Sequence, residues 1–328
     1  MISLKTKFTE QAKVQYPIIC GAMYPCSNPE LVAAVSEAGG LGIVQPLSLV
    51  YVHRYEFKKG LARIRELTKK PFGMNVIVEK NAKIYEDRMK RWVDESIEAG
   101  CRFFVTALGN PNWVIEKVKS VGGFVYHDVT EKKWALKAVE AGVDGLICVN
   151  QRAGGHAGTR SAKELYLELS SFNLPLICAG GIGGEVDFVD VMKMNYAGVQ
   201  LGTRFIATIE CNSHVDYKNA IVAADEEDIV KTERVTGVPL AVIRTPYVDR
   251  VGLKVGPISK LFFKNRHTKH WIRLFYNLRA VVAMKKTAIK GVSTKDYYQA
   301  GKSVHSIEKI ESVKAIMDRF IDCSQKNE

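Results

Sequence analysis

Three short stretches hold residues whose types and spacing could do chemistry. The first is Gln151-Arg152-Ala153-Gly154-Gly155-His156-Ala157-Gly158, a single imidazole set among glycines and alanines. Small residues let a backbone come close to a flat or bulky ligand, and an imidazole exchanges a proton near neutral pH. Taken alone, the octet reads equally well as a tight turn carrying a solvated histidine. The second and third are Gly180-Gly181-Ile182-Gly183 and Gly202-Thr203-Arg204. Glycine-rich turns present backbone N–H groups to phosphate oxygens, and Thr203 adds a hydroxyl.

A repeat along the chain indicates what positions these stretches. Glu37-Ala38-Gly39, Glu98-Ala99-Gly100 and Glu140-Ala141-Gly142 each close a helical pattern and precede an apolar run, and Tyr196-Ala197-Gly198 is read as a fourth instance with one change. Glycine just past a helix is its usual stop. The apolar runs are Tyr16 to Cys20, Leu41 to Gln45, Phe72 to Val78, Arg102 to Leu108, Phe124 to Val129, Gly145 to Asn150, Leu174 to Ala179 and Gly198 to Leu201. They recur about every 26 residues, the length of one strand, one helix and two loops. They are apolar on both faces, as buried parallel strands are. The pattern predicts an α/β fold, a (β/α)8 TIM barrel, with a doubly wound open sheet as the alternative. The open sheet lacks support because no Gly-x-Gly-x-x-Gly follows the first run.

Active sites of barrels sit at the C-terminal strand ends, often with a phosphate at the loops after strands seven and eight. On that map the site is assembled from Gly21-Ala22-Met23, Gln45-Pro46, Asn75, Ala107 to Asn110, His127 and Asp128, the octet, Gly180 to Gly183 and Gly202 to Arg204. Gly180, Gly181, Gly202 and Thr203 fall where the phosphate belongs.

Composition narrows the class. The chain has 328 residues, 47% hydrophobic and 25% charged, as globular proteins are. No apolar run is long enough to span a bilayer, and Met1-Ile2-Ser3-Leu4-Lys5 lacks the apolar core of a signal peptide. The seven cysteines are odd in number and form no Cys-x-x-Cys pair. The expectation is a cytoplasmic protein with neither a disulfide frame nor a metal site. Net charge is +12, and positions 250 to 295 carry twelve Lys and Arg with no acidic residue, so that the remainder is neutral. A local basic patch that could meet an acidic partner is therefore expected, and a nucleic-acid coat is not. Two parts are expected: a barrel over 1–224 and a mostly helical, basic lid or extension over 225–328 that returns to the barrel. Residues Asp225 to Asp249 read as helix and loop. Trp271, Leu274, Phe275, Leu278, Val281 and Val282 recur at helical spacing, and a second amphipathic helix is expected near Ile310 to Phe320.

Several of these stretches together resemble one family. Pro17-Ile18-Ile19-Cys20-Gly21-Ala22-Met23, the Glu37 to Gly42 step, Pro71-Phe72-Gly73-Met74-Asn75, Gly154-Gly155-His156, Ala179-Gly180-Gly181-Ile182 and Gln200 to Phe205 are similar to the nitronate monooxygenases, formerly called 2-nitropropane dioxygenases. Their superfamily includes flavin-dependent enoyl-acyl-carrier-protein reductases and NADH:quinone reductases. The resemblance covers roughly residues 8 to 210. It implies a TIM barrel holding FMN noncovalently. Gly21, Ala22 and Met23 would approach the isoalloxazine, and Asn75 would hydrogen-bond it. Gly154 and Gly155 would let strand six pass close to the ring. Gly180, Gly181, Gly202 and Thr203 would hold the phosphate, and His156 would face a small-molecule substrate as the catalytic residue. Two positions depart from the pattern. Asp128 stands where some relatives have Lys, and Lys302 stands where relatives often have Gln, offering itself as a replacement charge.

The resemblance implies oxidation of alkyl nitronates with O2. The alternative it leaves open is an NAD(P)H-dependent reductase of enoyl-acyl-carrier-protein or quinone acceptors, and a third reading is a flavin-binding module without catalysis. A homodimer is compatible with each.

Overall fold

The computed structural model describes residues 2–78, 83–256 and 297–326, with Lys285 and Ile289 as single positions between them. The helical stripe from Trp271 to Val282 and most of the basic stretch 250 to 295 lie outside the described residues.

Eight short parallel strands close on themselves. They are β1 (Ile18–Cys20), β2 (Leu41–Val44), β3 (Phe72–Ile77), β4 (Phe103–Ala107), β5 (Phe124–Val129), β6 (Gly145–Val149), β7 (Leu176–Ala179) and β8 (Gly198–Leu201). Closure is made by β1 on β8, with Ile19 opposite Gln200 and Cys20 opposite Leu201. The apolar runs are continuous because both faces are buried. Alternate residues Ile19, Leu41, Ile43, Phe103, Val105, Tyr126, Ile147 and Ile177 fill the barrel interior. Their neighbours Cys20, Val44, Met74, Phe104, Cys148 and Val199 belong to the shell between strands and helices. Phe8, on α1 (Lys7–Ala12), plugs the N-terminal end, its ring 5.5 Å from Phe103. Among the described residues the opposite end holds a cavity rather than a plug.

Helices α2 (Pro29–Glu37), α3 (Phe57–Leu67), α4 (Lys83–Glu98), α5 (Asn112–Lys119), α6 (Lys132–Glu140), α7 (Ala162–Leu169) and α8 (Glu185–Lys193) surround the barrel. Gly39, Gly100 and Gly142 take left-handed backbone at φ 87, 84 and 88°, as helix stops. The fourth repeat differs from its expectation: Asn195, at φ 65°, stops α8. Gly198 instead opens β8, where a β-carbon would lie 2.7 Å from the Pro17 carbonyl.

Beyond the barrel come α9 (Thr203–Ile206) and α10 (Val215–Ala223). The stretch Asp225 to Asp249, expected as helix and loop, instead contains an antiparallel pair, β9 (Ile229–Thr232) and β10 (Leu240–Ile243), before α11 (Pro246–Val251). Each strand has only four residues, too few for period-two alternation to stand out. The last described helix, α12 (Val313–Lys326), starts three residues later than the amphipathic stretch expected from Ile310 and runs past Phe320, which it lays against Phe188 of α8, ring centroids 5.5 Å apart.

A buried charge cluster fastens this return to the barrel. Arg204, 1% exposed, donates to the carbonyls of Ala207 and Lys309 at 2.8 Å each. Its guanidinium lies 3.8 Å from the Glu311 carboxylate, which also takes a two-pronged contact from Arg319 at 2.7 and 2.9 Å. Breaking a buried pair leaves an uncompensated charge and costs about 3–5 kcal/mol, whereas an exposed pair contributes under about 1 kcal/mol. Glu311→Gln should therefore lower unfolding free energy by about 3 kcal/mol in a urea titration, and Lys314→Ala, at the exposed pair with Asp318, by less than about 1 kcal/mol. Equal losses would remove Glu311 from this role.

Candidate functional site

At the end of the barrel opposite Phe8 is a cavity of about 1100 Å³. The residues expected to bind a cofactor or act in catalysis line it: Gly21, Ala22, Met23, Asn75, Gly154, Gly155, His156, Gly180, Gly181, Gly202 and Thr203; of the strand-end positions expected around them, Pro46, Gly183 and Arg204 do not, Arg204 being turned into the buried cluster with Glu311. They arrive from β1, β3 and the loops after β6, β7 and β8.

The β7 and β8 ends are shaped by backbone. Gly180 and Gly181 adopt φ 117 and 84°, conformations that L side chains avoid. A β-carbon at Gly180 would fall 2.5 Å from the Ala153 nitrogen and 2.6 Å from Asn150 Oδ1. Asn150 is fully buried and ties the two loops together. Its Nδ2 donates to the Gly180 carbonyl at 2.8 Å, and its Oδ1 accepts the Arg152 N–H at 2.8 Å. Thr203 Oγ1 accepts the Gly301 N–H at 2.9 Å, leaving its hydroxyl proton to point elsewhere. The N–H groups of Gly183 and Gly184 are committed to Asp187 at 3.0 Å each, capping α8.

In the octet, the smallness of Gly154 has a cause that local sequence did not suggest. A β-carbon there would lie 2.9 Å from the nitrogen of Gly301 and 3.0 Å from the carbonyl carbon of Ala300. It is the returning chain that leaves no room. Gly155 bridges to Ala241 of β10, accepting its N–H at 2.8 Å. His156 is exposed, with Nδ1 3.1 Å from the Pro239 carbonyl. A carbonyl only accepts, so this contact assigns the proton to Nδ1 and leaves Nε2 as a base.

The cavity also takes in His127 and Asp128 of β5. His127 Nδ1 lies 2.8 Å from Thr106 Oγ1, and burial lowers the imidazole to about 4, keeping it neutral. Asp128 shares the inward phase of Tyr126. Its Oδ1 is enclosed without a partner, and burial raises the carboxyl from 3.8 to about 7. Asn75 donates from Nδ2 to the Val105 carbonyl at 3.2 Å, leaving its Oδ1 as a further acceptor. Lys302 does not replace a missing charge: it pairs with Glu226 at 2.9 Å beside Arg152, and Ser303, not Lys302, lines the cavity.

Sequence reasoning missed Asn150 as a positioning residue, although a lone amide ending an apolar strand is a readable signal. It also missed Gln299 and Tyr217, which line the cavity from distant parts of the chain. Leu108, at φ 62°, has no sequence signal for its strained backbone.

Comparison with known proteins agrees with this geometry. The model of the family described as nitronate monooxygenase matches residues 5–322. The chain belongs to the nitronate monooxygenase family. It is thus related to oxidoreductases. A probable nitronate monooxygenase of Staphylococcus saprophyticus is 28% identical over 293 residues, covering 76% of this chain and 81% of that protein. A (3aS,4S,5R,7aS)-5-hydroxy-7a-methyl-1-oxo-octahydro-1H-indene-4-carboxyl-CoA dehydrogenase of Rhodococcus jostii is 28% identical over 296 residues, covering 88% of this chain and 80% of that one. The solved structure of FabK from Thermotoga maritima superposes with a TM-score of 0.81 at 28% identity, covering 99% of this chain and 97% of that one.

Asp128 generates a pH prediction. In the unfolded chain its carboxyl ionises near 3.8, whereas the folded protein keeps the proton up to about 7. Between those values the folded state binds the extra proton, so Asp128 lowers stability as pH rises through this window. Above it the total penalty is on the order of a few kcal/mol. Asp128→Asn keeps the neutral shape and should raise the melting temperature at pH 8 more than at pH 5. Identical gains at both pH values would show that the carboxyl is already ionised in the fold.

Proposed function

We propose that the protein is an FMN-dependent oxidoreductase that oxidises alkyl nitronates with O2. The observation that carries this reading is the convergence of Gly180, Gly181, Gly202 and Thr203 with Gly21 to Met23, Asn75 and the octet on a single cavity. The residues fit such a group. At Gly202 an added β-carbon would stand in the cavity beside Met23, 3.5 Å from its sulfur, where it would narrow the place proposed for the phosphate. Gly180, Gly181 and Gly202 would present backbone to the phosphate, Thr203 would donate its hydroxyl, and Asn75 and the Gly21 to Met23 backbone would meet the ring. When bound, FMN supplies the electron acceptor and the centre that reacts with oxygen.

The chain's own part is positioning and proton handling. His156 Nε2, unprotonated in the assigned tautomer, takes the α-proton of a neutral nitroalkane as general base. The Pro239 carbonyl fixes the ring by accepting from Nδ1 and stabilises the imidazolium that results. The neutral His127 adds no competing positive charge.

A second reading has its own support. The cavity exceeds the size needed for one drug-sized ligand, and the Rhodococcus jostii relative is named for a carboxyl-CoA substrate. On this reading the protein passes electrons between a nicotinamide nucleotide and an enoyl thioester or quinone.

Purified protein should show flavin absorbance bands. Thr203→Val should weaken FMN binding roughly tenfold, the worth of one hydrogen bond to a charged group. His156→Asn should leave flavin content intact and reduce turnover of neutral 2-nitropropane by roughly a hundredfold, with a smaller effect on the preformed nitronate. Flavin bleaching by NADH or NADPH without oxygen, together with no O2 uptake on nitronate, would favour the reductase reading. A colourless protein that takes up no added FMN would overturn both.

A further inference from the structure

The cavity does not stop at the barrel mouth. Past Ala107 it continues across the connection from β4 to α5 and down beside α6, where Leu108, Asn110, Thr130, Trp134 and Lys137 line it. Nothing in the nitronate reading uses this arm.

Three features give it a chemistry. Leu108 is 63% exposed although it is large and apolar, and it sits at φ 62°, a backbone conformation that non-glycine residues disfavour. Gly109 holds it there: its own φ is 38°, and a β-carbon would lie 2.4 Å from the Val78 carbonyl. The strained turn thus presents an apolar side chain to the cavity. Trp134 is 44% exposed and lines the arm. The ammonium groups of Lys133 and Lys137 lie over the indole ring, 4.9 and 5.0 Å from its centre, where a stacked base would take their place on the face they cover. Lys133 is paired with Glu131 at 3.4 Å, whereas Lys137 makes no ion pair among the described residues. The floor histidine, His127, is neutral, and among the described residues Lys137 is the arm's unpaired cation, with the Glu140 carboxylate also on the lining.

A flat aromatic face stacks on a heteroaromatic base. An unneutralised ammonium beside it selects a base that carries phosphate. An apolar side chain between that point and the barrel mouth suits a linker that connects a tail to a reactive end. We propose that the arm is a second binding subsite for the adenosine phosphate tail of a nucleotide-bearing substrate. The base lies on Trp134, the phosphate meets Lys137, and the linker passes Leu108 to place the reactive end in the barrel mouth. The proposal rests on the reading that reaction occurs in that mouth, and it extends the thioester and nicotinamide alternative. Coenzyme A and the nicotinamide dinucleotides share this tail chemistry.

The test is calorimetric titration of the purified full chain with adenosine 3′,5′-bisphosphate, the tail of coenzyme A, and separately with NAD+ and NADP+. Binding of the bisphosphate alone assigns the subsite to a coenzyme A substrate; binding of a dinucleotide alone assigns it to the hydride donor. Trp134→Ala and Lys137→Glu should each weaken the ligand that binds by roughly tenfold to a hundredfold, while Trp134→Phe retains most affinity and Lys133→Glu changes it little. Flavin absorbance in the same samples separates the two proposals. A flavin-loaded protein that binds none of the three ligands at millimolar concentration overturns the subsite and leaves the flavin reading standing. A flavin-free protein that binds the bisphosphate through Trp134 does the reverse. Unchanged affinity in Trp134→Ala and Lys137→Glu, with melting temperatures equal to wild type, also overturns the subsite.

Discussion

Gly154 and Gly301 lie back to back, and neither has room for a β-carbon: one at Gly301 would sit 2.6 Å from the Gly154 nitrogen. The wall of the cavity depends on that approach. It lets the Gly301 N–H reach Thr203 and the Lys302 N–H reach the Arg152 carbonyl at 2.9 Å each, so the returning chain is stitched to the ends of both β6 and β8. From there the stitching spreads. Val242 of β10 bridges to Gln299 while Ala241 bridges to Gly155, so β10 lies between the octet and the tail. Tyr217 stacks on Tyr298 at 4.7 Å and donates its hydroxyl to the Gln299 carbonyl. A barrel alone supplies a ring of strand ends. Here two later segments, held by an absence of side chains, turn part of that ring into an enclosing wall.

The electrostatics follow the same division between rim and floor. Arg152 and Lys302 share the single carboxylate of Glu226 at the rim, which leaves one net positive charge there. Below, His127 and Asp128 are both pushed toward their uncharged forms by burial. A floor of this kind imposes no fixed charge. It discriminates by hydrogen bonding and shape, and the charged side chains of the cavity, Arg152 and Lys137 among them, lie away from it. A phosphate fits this arrangement because glycine-rich turns meet it with backbone dipoles and need no cation.

Local pattern made the barrel legible because its strands are buried on both faces. Each of the apolar runs from Tyr16 to Leu201 contains a barrel strand, and the inner and outer residues alternate as β geometry requires. The strand ends were legible too, since a closed barrel leaves them only one place to meet. What escaped was whatever depends on distant contacts. Ile229–Thr232 and Leu240–Ile243 form a sheet with each other and lean on the octet, pairings that a short window of sequence does not contain. The reason for Gly154 lies in residues Ala300 and Gly301, and the exposure of Leu108 follows from a backbone twist that leucine itself disfavours. Gly198 misled for a related reason: the glycine was read as a helix stop, whereas strand packing against Pro17 requires it.

Asp128 bears most directly on what the site does with negative charge. A lysine at this place, as in some relatives, offers a hydrogen bond and a full positive charge. A carboxyl that keeps its proton at pH values below about 7 offers there the hydrogen bond alone. Both can donate to an electron-rich edge of a bound ring, but only the cation stabilises a full negative charge that develops there. With Lys302 held by Glu226 and His127 neutral, neither of these two side chains supplies that charge. For the proposed flavin, this lining favours the oxidised, uncharged ring over a reduced anion more than a lysine-bearing site would. Such a site suits electrons that pass quickly onward to an acceptor rather than electrons stored on the cofactor.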